Sequence, residues 1–362
     1  KEDIKSIENS LKRSLLTDGP LLQEFESKFS KFTGAKFAVG VSNATSALQL
    51  SLKVLGIQKN DEVILPDMTF VATGNAILNV GATPVIADVN NDMNISLDSI
   101  KENITSKTKA IIPVHFAGKM CDIKNIKKIA KTNNLFLIED CAHAIGAKFE
   151  NKHAGTFGDA GCFSFYPTKN ITTIEGGMVI CNSKNTAQGI QSFRNHGITR
   201  TLKQRFSAGK PWDYDEIEPG YNFRLDEIRA SLGISQLKKI SKLNNMRRKA
   251  CEYYTSKLKK IKGIESPEIS KSTDNAFHLY IIKIKKDYGI SRDKLFLKLL
   301  DSGIRTSVHY KPLHDFTIFK KMAKIKRGLN NSTTLYNEIL SLPLYPTITQ
   351  QEQDYVIHNL KN

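Results

Sequence analysis

Short apolar runs separated by helical patterns recur through the first half of the chain and set the strongest limit on its fold. Each run has the length of a strand, and most are followed by a helical stretch before the next run begins. The runs are FAVGVS (37–42), EVILP (62–66), PVIADV (84–89), KAIIPVHF (109–116), LFLIED (135–140), GCFSF (161–165) and GGMVICN (176–182). Because strands that alternate with helices build a sheet with helical crossovers, this pattern predicts an α/β fold with a mostly parallel central sheet.

The length of the chain predicts a second domain, because 362 residues exceed the usual size for a single hydrophobic core. The later part carries an apolar strand, HLYIIKIK (278–285), then a helix, SRDKLFLKLLDSG (291–303), and a final helical stretch. We therefore expect a large domain over residues 1–240, which includes an N-terminal helical segment, and a smaller C-terminal α/β domain over residues 241–362.

Two segments between these parts differ in character. Residues 201–220 contain glycine, proline, acidic residues and the only tryptophan, Trp212, which is typical of an excursion or a subunit-contact loop. From Leu225 an apolar stripe at helical spacing predicts one long helix that leads out of the sheet domain. The stripe consists of Ile228, Leu232, Leu237 and Ile240.

Composition excludes several classes of protein. The net charge of +17 would suit binding to nucleic acid, but the lysines are scattered over helix exteriors, without a basic arm, an RNA-binding signature or a helix-turn-helix pattern. No apolar run approaches the roughly 20 residues of a membrane span, and the N-terminal residues lack the apolar core of a secretory signal. The cysteines are five, without CxxC spacing, which favours reduced thiols over disulfides or a metal site. We expect a cytoplasmic protein with no nucleic-acid or membrane partner.

Lys169 lies on the connection between two of the apolar runs, GCFSF and GGMVICN. Connections between buried strands are where functional sites tend to form, and an amine held there can be desolvated and made nucleophilic at neutral pH. Most lysines in so basic a chain are solvated, so the case for Lys169 depends on its companions.

Asp140 is one such companion, since it ends the apolar strand LFLIED and is followed three residues later by His143. A carboxylate at the C-terminal end of a strand occupies the place where open α/β sheets handle ligands. Asp140 could instead cap a following helix, and His143 could be a packed core histidine.

The segment 37–56 provides a candidate anion site. A strand ends at Ser42, and small polar residues then open a helix. The free N–H groups and the dipole of such a helix start suit a phosphate, and the hydroxyls of Thr45 and Ser46 are further donors. Ordinary helix capping would produce the same pattern.

These features together suit pyridoxal phosphate. Its aldehyde requires a lysine, and its ring nitrogen requires a carboxylate. Its phosphate is bound by N–H groups, and its ring requires a flat stacking partner. The segment PDMTFVATGNAI (66–77) offers an aromatic residue for stacking.

The chain resembles the DegT/StrS-type nucleotide-sugar aminotransferases, which are fold-type I pyridoxal phosphate enzymes. The resemblance covers nearly the whole chain. It is carried by residues 15–48, 61–89, 111–123 and 138–147, the Lys169 segment, RNHGITR (194–200), PGYNFRLDEIRASLGISQL (219–237), SVHYKPLH (307–314) and LSLPLYP (340–346).

The resemblance implies a role for each matched residue. Lys169 is the catalytic lysine that links to the aldehyde of pyridoxal phosphate, and the catalytic Asp140 pairs with the protonated pyridine nitrogen. His143 faces the phenolic oxygen of the cofactor, and Phe70 stacks on the ring. The phosphate is held by Ala44, Thr45 and Ser164.

The resemblance also implies a homodimer in which the GYNFR segment of one subunit completes the phosphate site of the other, through Asn222 or Arg224. His309 and Tyr310 are the implied substrate contacts. Family members usually have glycine where this chain has Ala44, which affects the local approach of the backbone. A relative that dehydrates sugars carries histidine in place of the lysine, so Lys169 argues against dehydration.

The implied reaction moves an amino group from glutamate to a keto-sugar nucleotide, for the synthesis of amino sugars of surface polysaccharide or glycans. The run PVHFAG followed by CDI, and the spacing in FYPTKNITTIEGG, resemble members that act on 4-keto-6-deoxy sugars. The alternatives are a 3-keto sugar aminotransferase, another fold-type I reaction and, from composition alone, a basic nucleic-acid-binding module.

Overall fold

The computed structural model describes residues 1–198, 204, 207, 209–269 and 274–361. Parts of RNHGITR and of the 201–220 segment therefore lie outside the described residues. The strands are β1 (Phe37–Val41), β2 (Glu62–Pro66), β3 (Thr83–Ala87), β4 (Thr108–Ile111), β5 (Phe136–Asp140), β6 (Lys148–Phe149), β7 (Lys152–His153), β8 (Ala160–Ser164), β9 (Gly177–Cys181), β10 (Ile264–Glu265), β11 (Tyr280–Ile284) and β12 (Ile339–Leu342).

The helices alternate with the strands in the first half of the chain. They are α1 (Glu2–Leu11), α2 (Pro20–Thr33), α3 (Ala44–Val54), α4 (Val71–Asn79), α5 (Leu97–Asn103), α6 (Ile123–Thr132), α7 (Lys184–Phe193), α8 (Glu227–Leu237), α9 (Ile240–Leu258), α10 (Arg292–Asp301), α11 (Thr317–Met322), α12 (Asn330–Glu338) and α13 (Gln350–Lys361), with 3-10 turns at Phe116–Gly118, Lys286–Tyr288 and Leu313–Asp315. None of the helices in the described part of the chain has both the length and the apolar character needed to cross a membrane.

The central sheet has seven strands in the order β1-β9-β8-β5-β4-β2-β3. Strand β9 is antiparallel to both of its neighbours, and the other pairings are parallel. Every apolar run that predicted a strand in this region forms one, which confirms the mostly parallel α/β sheet. Because the parallel strands all end at one edge, the segments that follow β1, β2, β5 and β8 come together there.

Helices cover both faces of this sheet, so the strands are buried on both sides. On one face, α2 contributes Leu22, Phe25 and Phe29 to a cluster with Phe163 and Met178 from the sheet. On the other, side chains from α3, α4 and α7 pack on alternate residues of the same strands; they include Leu48, Leu52, Ile77 and Ile190. The two cores hold the strand ends in fixed positions, and these ends form the walls of the site.

A second sheet, antiparallel and of order β10-β11-β12, lies in the C-terminal part. It forms its own core with α9, α10 and α13, in which Tyr254, Ile282 and Leu295 are buried. Leu313 and Phe319 return to the core of the central sheet, so this part is also packed against the first. The division at residues 240 and 241 stays a prediction.

The prediction of one long helix from Leu225 is wrong. Helix α8 begins at Glu227, because the side chain of Asp226 caps it by accepting from the N–H of Arg229, and it ends at Leu237. Helix α9 starts anew at Ile240. The break allows α9 to leave the central sheet and bury its later turns in the C-terminal core.

Candidate active site

A cavity of about 510 Å³ opens at the edge where the parallel strands end. Most of the site residues expected from the sequence line it, although they are far apart in the chain. They are Ala44, Thr45, Phe70, Asp140, His143, Ser164, Lys169, His309 and Tyr310. Asn222 and Arg224 are not among the residues that line it.

Lys169 lies on the β8–β9 connection, where its backbone N–H donates to the carbonyl of Tyr166. Burial lowers the pKa of its amine from 10.5 to about 8, against an opposing effect of the negative charge of Asp140. A substantial share of the amine is therefore unprotonated at mildly alkaline pH. A partly neutral lysine in a cavity has the chemical character of a nucleophile and of a proton carrier.

Asp140 is a buried carboxylate with two hydrogen-bond donors. The backbone N–H of Ala142 donates to Oδ1 at 3.1 Å and the hydroxyl of Thr73 to Oδ2 at 2.9 Å. Burial raises the pKa of Asp140, while these two donors and the positive charge of Lys169 oppose the rise. No helix starts after Asp140, since the chain continues as turns to residue 147. The helix-cap alternative is therefore wrong.

The neighbouring Glu139 faces the opposite side of the strand, as the period of two in a strand requires. It is fully buried and accepts three backbone N–H bonds, from Gly155, Phe157 and Gly158, at 2.8 to 2.9 Å. His115 Nε2 lies 3.0 Å from the same carboxylate. Glu139 thus holds the loop that follows β7, and Asp140 is the strand-end carboxylate that reaches the cavity.

His143 is buried against another histidine, with its ring stacked 4.4 Å from that of His278. Its Nε2 lies 3.1 Å from the hydroxyl of Tyr310, whereas its Nδ1 has no hydrogen-bond partner in the described part of the chain. Burial and the nearby charge of Lys169 hold the pKa of His143 well below its ordinary value, so the ring is neutral. A buried unpaired nitrogen is costly unless a bound molecule supplies its partner.

The start of α3 forms another wall. Asn43 caps the helix by accepting from the N–H of Ser46 at 2.8 Å, and Ala44 and Thr45 carry the first N–H groups of the helix, which have no intrahelical acceptor. The backbone here runs so close to β9 that a Cβ on Gly177 would lie 2.5 Å from the carbonyl carbon of Asn43. Gly177 therefore permits the approach that places this anion-binding helix start at the cavity.

The GYNFR segment lies just outside the cavity. The carbonyl of Phe223 accepts from the N–H of Ser42 at 2.8 Å, immediately before α3. Arg224 Nη1 donates to the side chain of Asn195 at 2.6 Å, and Asn222 is exposed. Within one chain these two side chains are near the helix start but do not reach into the cavity.

The residues present fit pyridoxal phosphate. The cavity offers an amine of lowered pKa, a buried carboxylate, a helix start and an aromatic ring, Phe70, which is 57% exposed and therefore has a free face. The unpaired Nδ1 of His143 supplies a further polar atom. These groups match the aldehyde, the ring nitrogen, the phosphate, the ring face and the phenolic oxygen of the cofactor.

Sequence reasoning missed Thr73 and His278. The hydroxyl of Thr73 also lies 2.9 Å from that of Thr69, and the available signal was its position three residues after Phe70 in PDMTFVATGNAI. His278 lies in the predicted strand 278–285 and gave no local signal, because its contact with His143 joins distant parts of the chain.

Comparison with known proteins gives a family and close structural likenesses. The model of the DegT/DnrJ/EryC1/StrS aminotransferase family matches residues 1–361. An uncharacterized protein of Methanocaldococcus jannaschii is 40% identical over 99% of this chain and 94% of its own length. The spore coat polysaccharide biosynthesis protein SpsC of Bacillus subtilis is 36% identical over 100% of this chain and 94% of its own. The structure of Helicobacter pylori PseC, an aminotransferase involved in the biosynthesis of pseudoaminic acid, is similar with a TM-score of 0.92 and 31% identity, covering 99% of this chain and 95% of that one.

Proposed function

Because the chain belongs to the DegT/DnrJ/EryC1/StrS aminotransferase family, whose members use pyridoxal phosphate, we propose that it transfers an amino group from glutamate to the keto carbon of a sugar nucleotide. The observation that carries this proposal is the cavity in which Lys169, of lowered pKa, shares a wall with the buried Asp140. Each of the two groups supports one requirement of amino transfer.

Lys169 is proposed to move the proton. Its Nζ takes the proton from the carbon that bears the amino group of the donor, and it returns a proton when the amino group reaches the sugar. A pKa of about 8 suits both directions near neutral pH, because neither the neutral nor the protonated amine is rare. When bound, pyridoxal phosphate supplies an electron sink for the carbon that loses its proton.

Asp140 is proposed to keep that electron sink effective by holding a proton on the pyridine nitrogen. The bonds from Thr73 and Ala142 fix both of its oxygens, so the charge is oriented before reaction. Ala44, Thr45 and Ser164 would hold the phosphate, and Phe70 would cover the ring.

The acceptor is proposed to be a 4-keto-6-deoxy sugar nucleotide whose amino sugar enters a surface polysaccharide or glycan. The names of two relatives, a spore coat polysaccharide protein and an aminotransferase of pseudoaminic acid biosynthesis, support a role of this kind. His309 and Tyr310, at the cavity wall, are the proposed sugar contacts.

The test is incubation of the purified protein with glutamate and a panel of 4-keto and 3-keto sugar nucleotides. Formation of a 4-amino sugar together with 2-oxoglutarate is expected. Lys169→Ala should lose both turnover and the covalent cofactor adduct, whose loss is read from the visible absorbance. Amination at the 3-position would replace the proposed acceptor, and turnover by Lys169→Ala would overturn the assignment of the lysine.

We propose that the active form is a homodimer in which Asn222 or Arg224 completes the phosphate site of the partner. The position of both residues beside the α3 start but outside the cavity of their own chain supports this proposal. Mixing inactive Lys169→Ala subunits with inactive subunits that carry Asn222→Ala and Arg224→Ala should restore activity, because a mixed dimer has one site with every lesion and one with none. No recovery despite demonstrated subunit exchange would show that both residues serve their own chain.

A further inference from the structure

A second cavity, also of about 510 Å³, lies beside the candidate active site, and Lys169 lines both. We call it the Arg247 cavity. Its walls come from the Lys169 segment, the first turn of α1, the junction of α8 with α9 and the segment around Leu344. A small molecule in this cavity would therefore be adjacent to the reactive lysine.

Arg247, on α9, lines this cavity although its residue is only 4% exposed. Its Nη1 donates to the carbonyls of His278 and Leu344 at 3.2 and 3.1 Å. Its Nε is buried and has no partner in the part of the chain that the structure describes. The guanidinium therefore keeps hydrogen-bonding capacity that its fixed contacts do not use.

The charge of Arg247 also lacks compensation. Burial lowers its pKa to about 10, so it stays protonated at neutral pH. Among the described residues, no carboxylate forms an ion pair with it. The acidic group in the cavity wall, Asp3, already accepts from Lys239 Nζ at 2.6 Å and from Gln236 at 2.8 Å. A buried cation without an anion is destabilising, and a bound anion would offset that cost.

We propose that the Arg247 cavity binds the carboxylate of the amino donor, with Arg247 as the recognising residue. This inference rests on the proposed function, because it assigns a place to the donor of that reaction. A guanidinium donates charge-assisted hydrogen bonds to a carboxylate, and the fixed contacts of Arg247 use only its Nη1. The pyrophosphate of a sugar nucleotide fits less well, because Lys239 is already paired with Asp3 and the other lysine of the wall, Lys169, acts on the reacting carbon in the proposed function.

The experiment compares the wild-type holoenzyme with Arg247→Gln and Arg247→Lys. Lys249→Gln is the matched control, because it removes one positive charge from an exposed position on the same helix. The half-reaction with glutamate is followed by cofactor absorbance, and binding of glutarate, a dicarboxylate without an amine, is measured by calorimetry. Arg247→Gln should raise KM for glutamate and Kd for glutarate by about 10- to 100-fold. Arg247→Lys should lie between, and the control should match the wild type.

A purely structural role for Arg247 gives different results. Loss of its bonds to two carbonyls would lower the stability of the protein and would weaken the binding of glutamate and of the sugar nucleotide alike. If Arg247 recognises the donor, KM for the sugar nucleotide stays unchanged. The inference is overturned if glutarate binds both Arg247 variants as it binds the wild type, or if only the sugar nucleotide is affected.

Two further measurements keep the outcomes separate. Glutarate binding reports on Arg247 without any turnover, so absence of amino transfer from glutamate in the wild type would count against the proposed function and not by itself against the anion site. If neither variant folds, a crystal of the wild-type holoenzyme soaked with glutarate decides the matter. A carboxylate bonded to Arg247 supports the inference, and one bound elsewhere contradicts it.

Discussion

Replacement of Lys169 by methionine should make the cofactor-free protein more stable while removing its activity. Methionine has a similar length and is uncharged, so it fills the same space without the cost of burying an ammonium group. The pKa of Lys169 falls from 10.5 to about 8 on folding, and this difference corresponds to roughly 3 kcal/mol in the free energy of unfolding.

The pH dependence gives this prediction its sign. Below pH 8 the amine is protonated in both the folded and the unfolded chain. The wild type therefore bears the full cost of burying the charge, and Lys169→Met exceeds it in stability by the full amount. Between pH 8 and 10.5 the folded protein has lost the proton while the unfolded chain still binds it. The wild type therefore becomes more stable relative to the variant as pH rises through this window.

Urea unfolding of the cofactor-free proteins at pH 7, 8.5 and 10 measures the effect, with Lys127→Met as control, because Lys127 is exposed on α6. The control should differ from the wild type by no more than about 0.5 kcal/mol at every pH. A Lys169→Met variant that is no more stable than the wild type at pH 7, or whose advantage does not shrink by pH 10, would refute the argument that burial sets the state of the amine.

Three other outcomes are expected. Asp140→Asn should retain the cofactor but slow the single-turnover reaction with glutamate on the order of 100-fold; an unchanged rate would remove Asp140 from catalysis. Thr73→Val removes a hydrogen bond that lowers the pKa of Asp140, so this pKa should rise further. The acidic limb of the pH profile for the single-turnover reaction with glutamate should therefore move to higher pH. Asp67 raises the pKa of His314 by a hydrogen bond, so the stability from this contact is complete below pH 6.5 and declines as pH rises through the raised value. His314→Gln should therefore cost more stability at pH 5.5 than at pH 8.5 in urea unfolding, and an equal cost would contradict this.

The sequence by itself determined the central sheet and the segments that carry the site. The apolar runs indicated the strands, because a strand of a parallel sheet is buried on both faces and is therefore mostly apolar. Since parallel strands end at one edge, Asp140 at the end of β5 and the helix start at Thr45 were expected together, and both line one cavity. These inferences depend only on local pattern and on a general rule of sheet geometry.

Only the tertiary structure decided how the groups in the cavity act on one another. The sequence placed Glu139 and Asp140 side by side, but the packing of the strand determined which carboxylate holds a loop and which faces the cavity. Two contacts join residues far apart in the chain: the ring of His143 stacks on His278, and Thr73 donates to Asp140. The cavity around the buried charge of Arg247 is likewise lined by distant segments. The break between α8 and α9 was likewise hidden, since the apolar stripe continues across it.

The physical reason is that charge state and hydrogen bonding depend on burial, and burial is a property of the packed molecule. In the unfolded chain a lysine titrates near its ordinary pKa, whatever its neighbours in sequence. The sequence thus determined which residue types follow which strands, and the fold decided that the amine of Lys169 is buried. Its desolvation lowers the pKa more than the negative charge of Asp140 raises it, and the result is the lowered pKa that amino transfer near neutral pH requires.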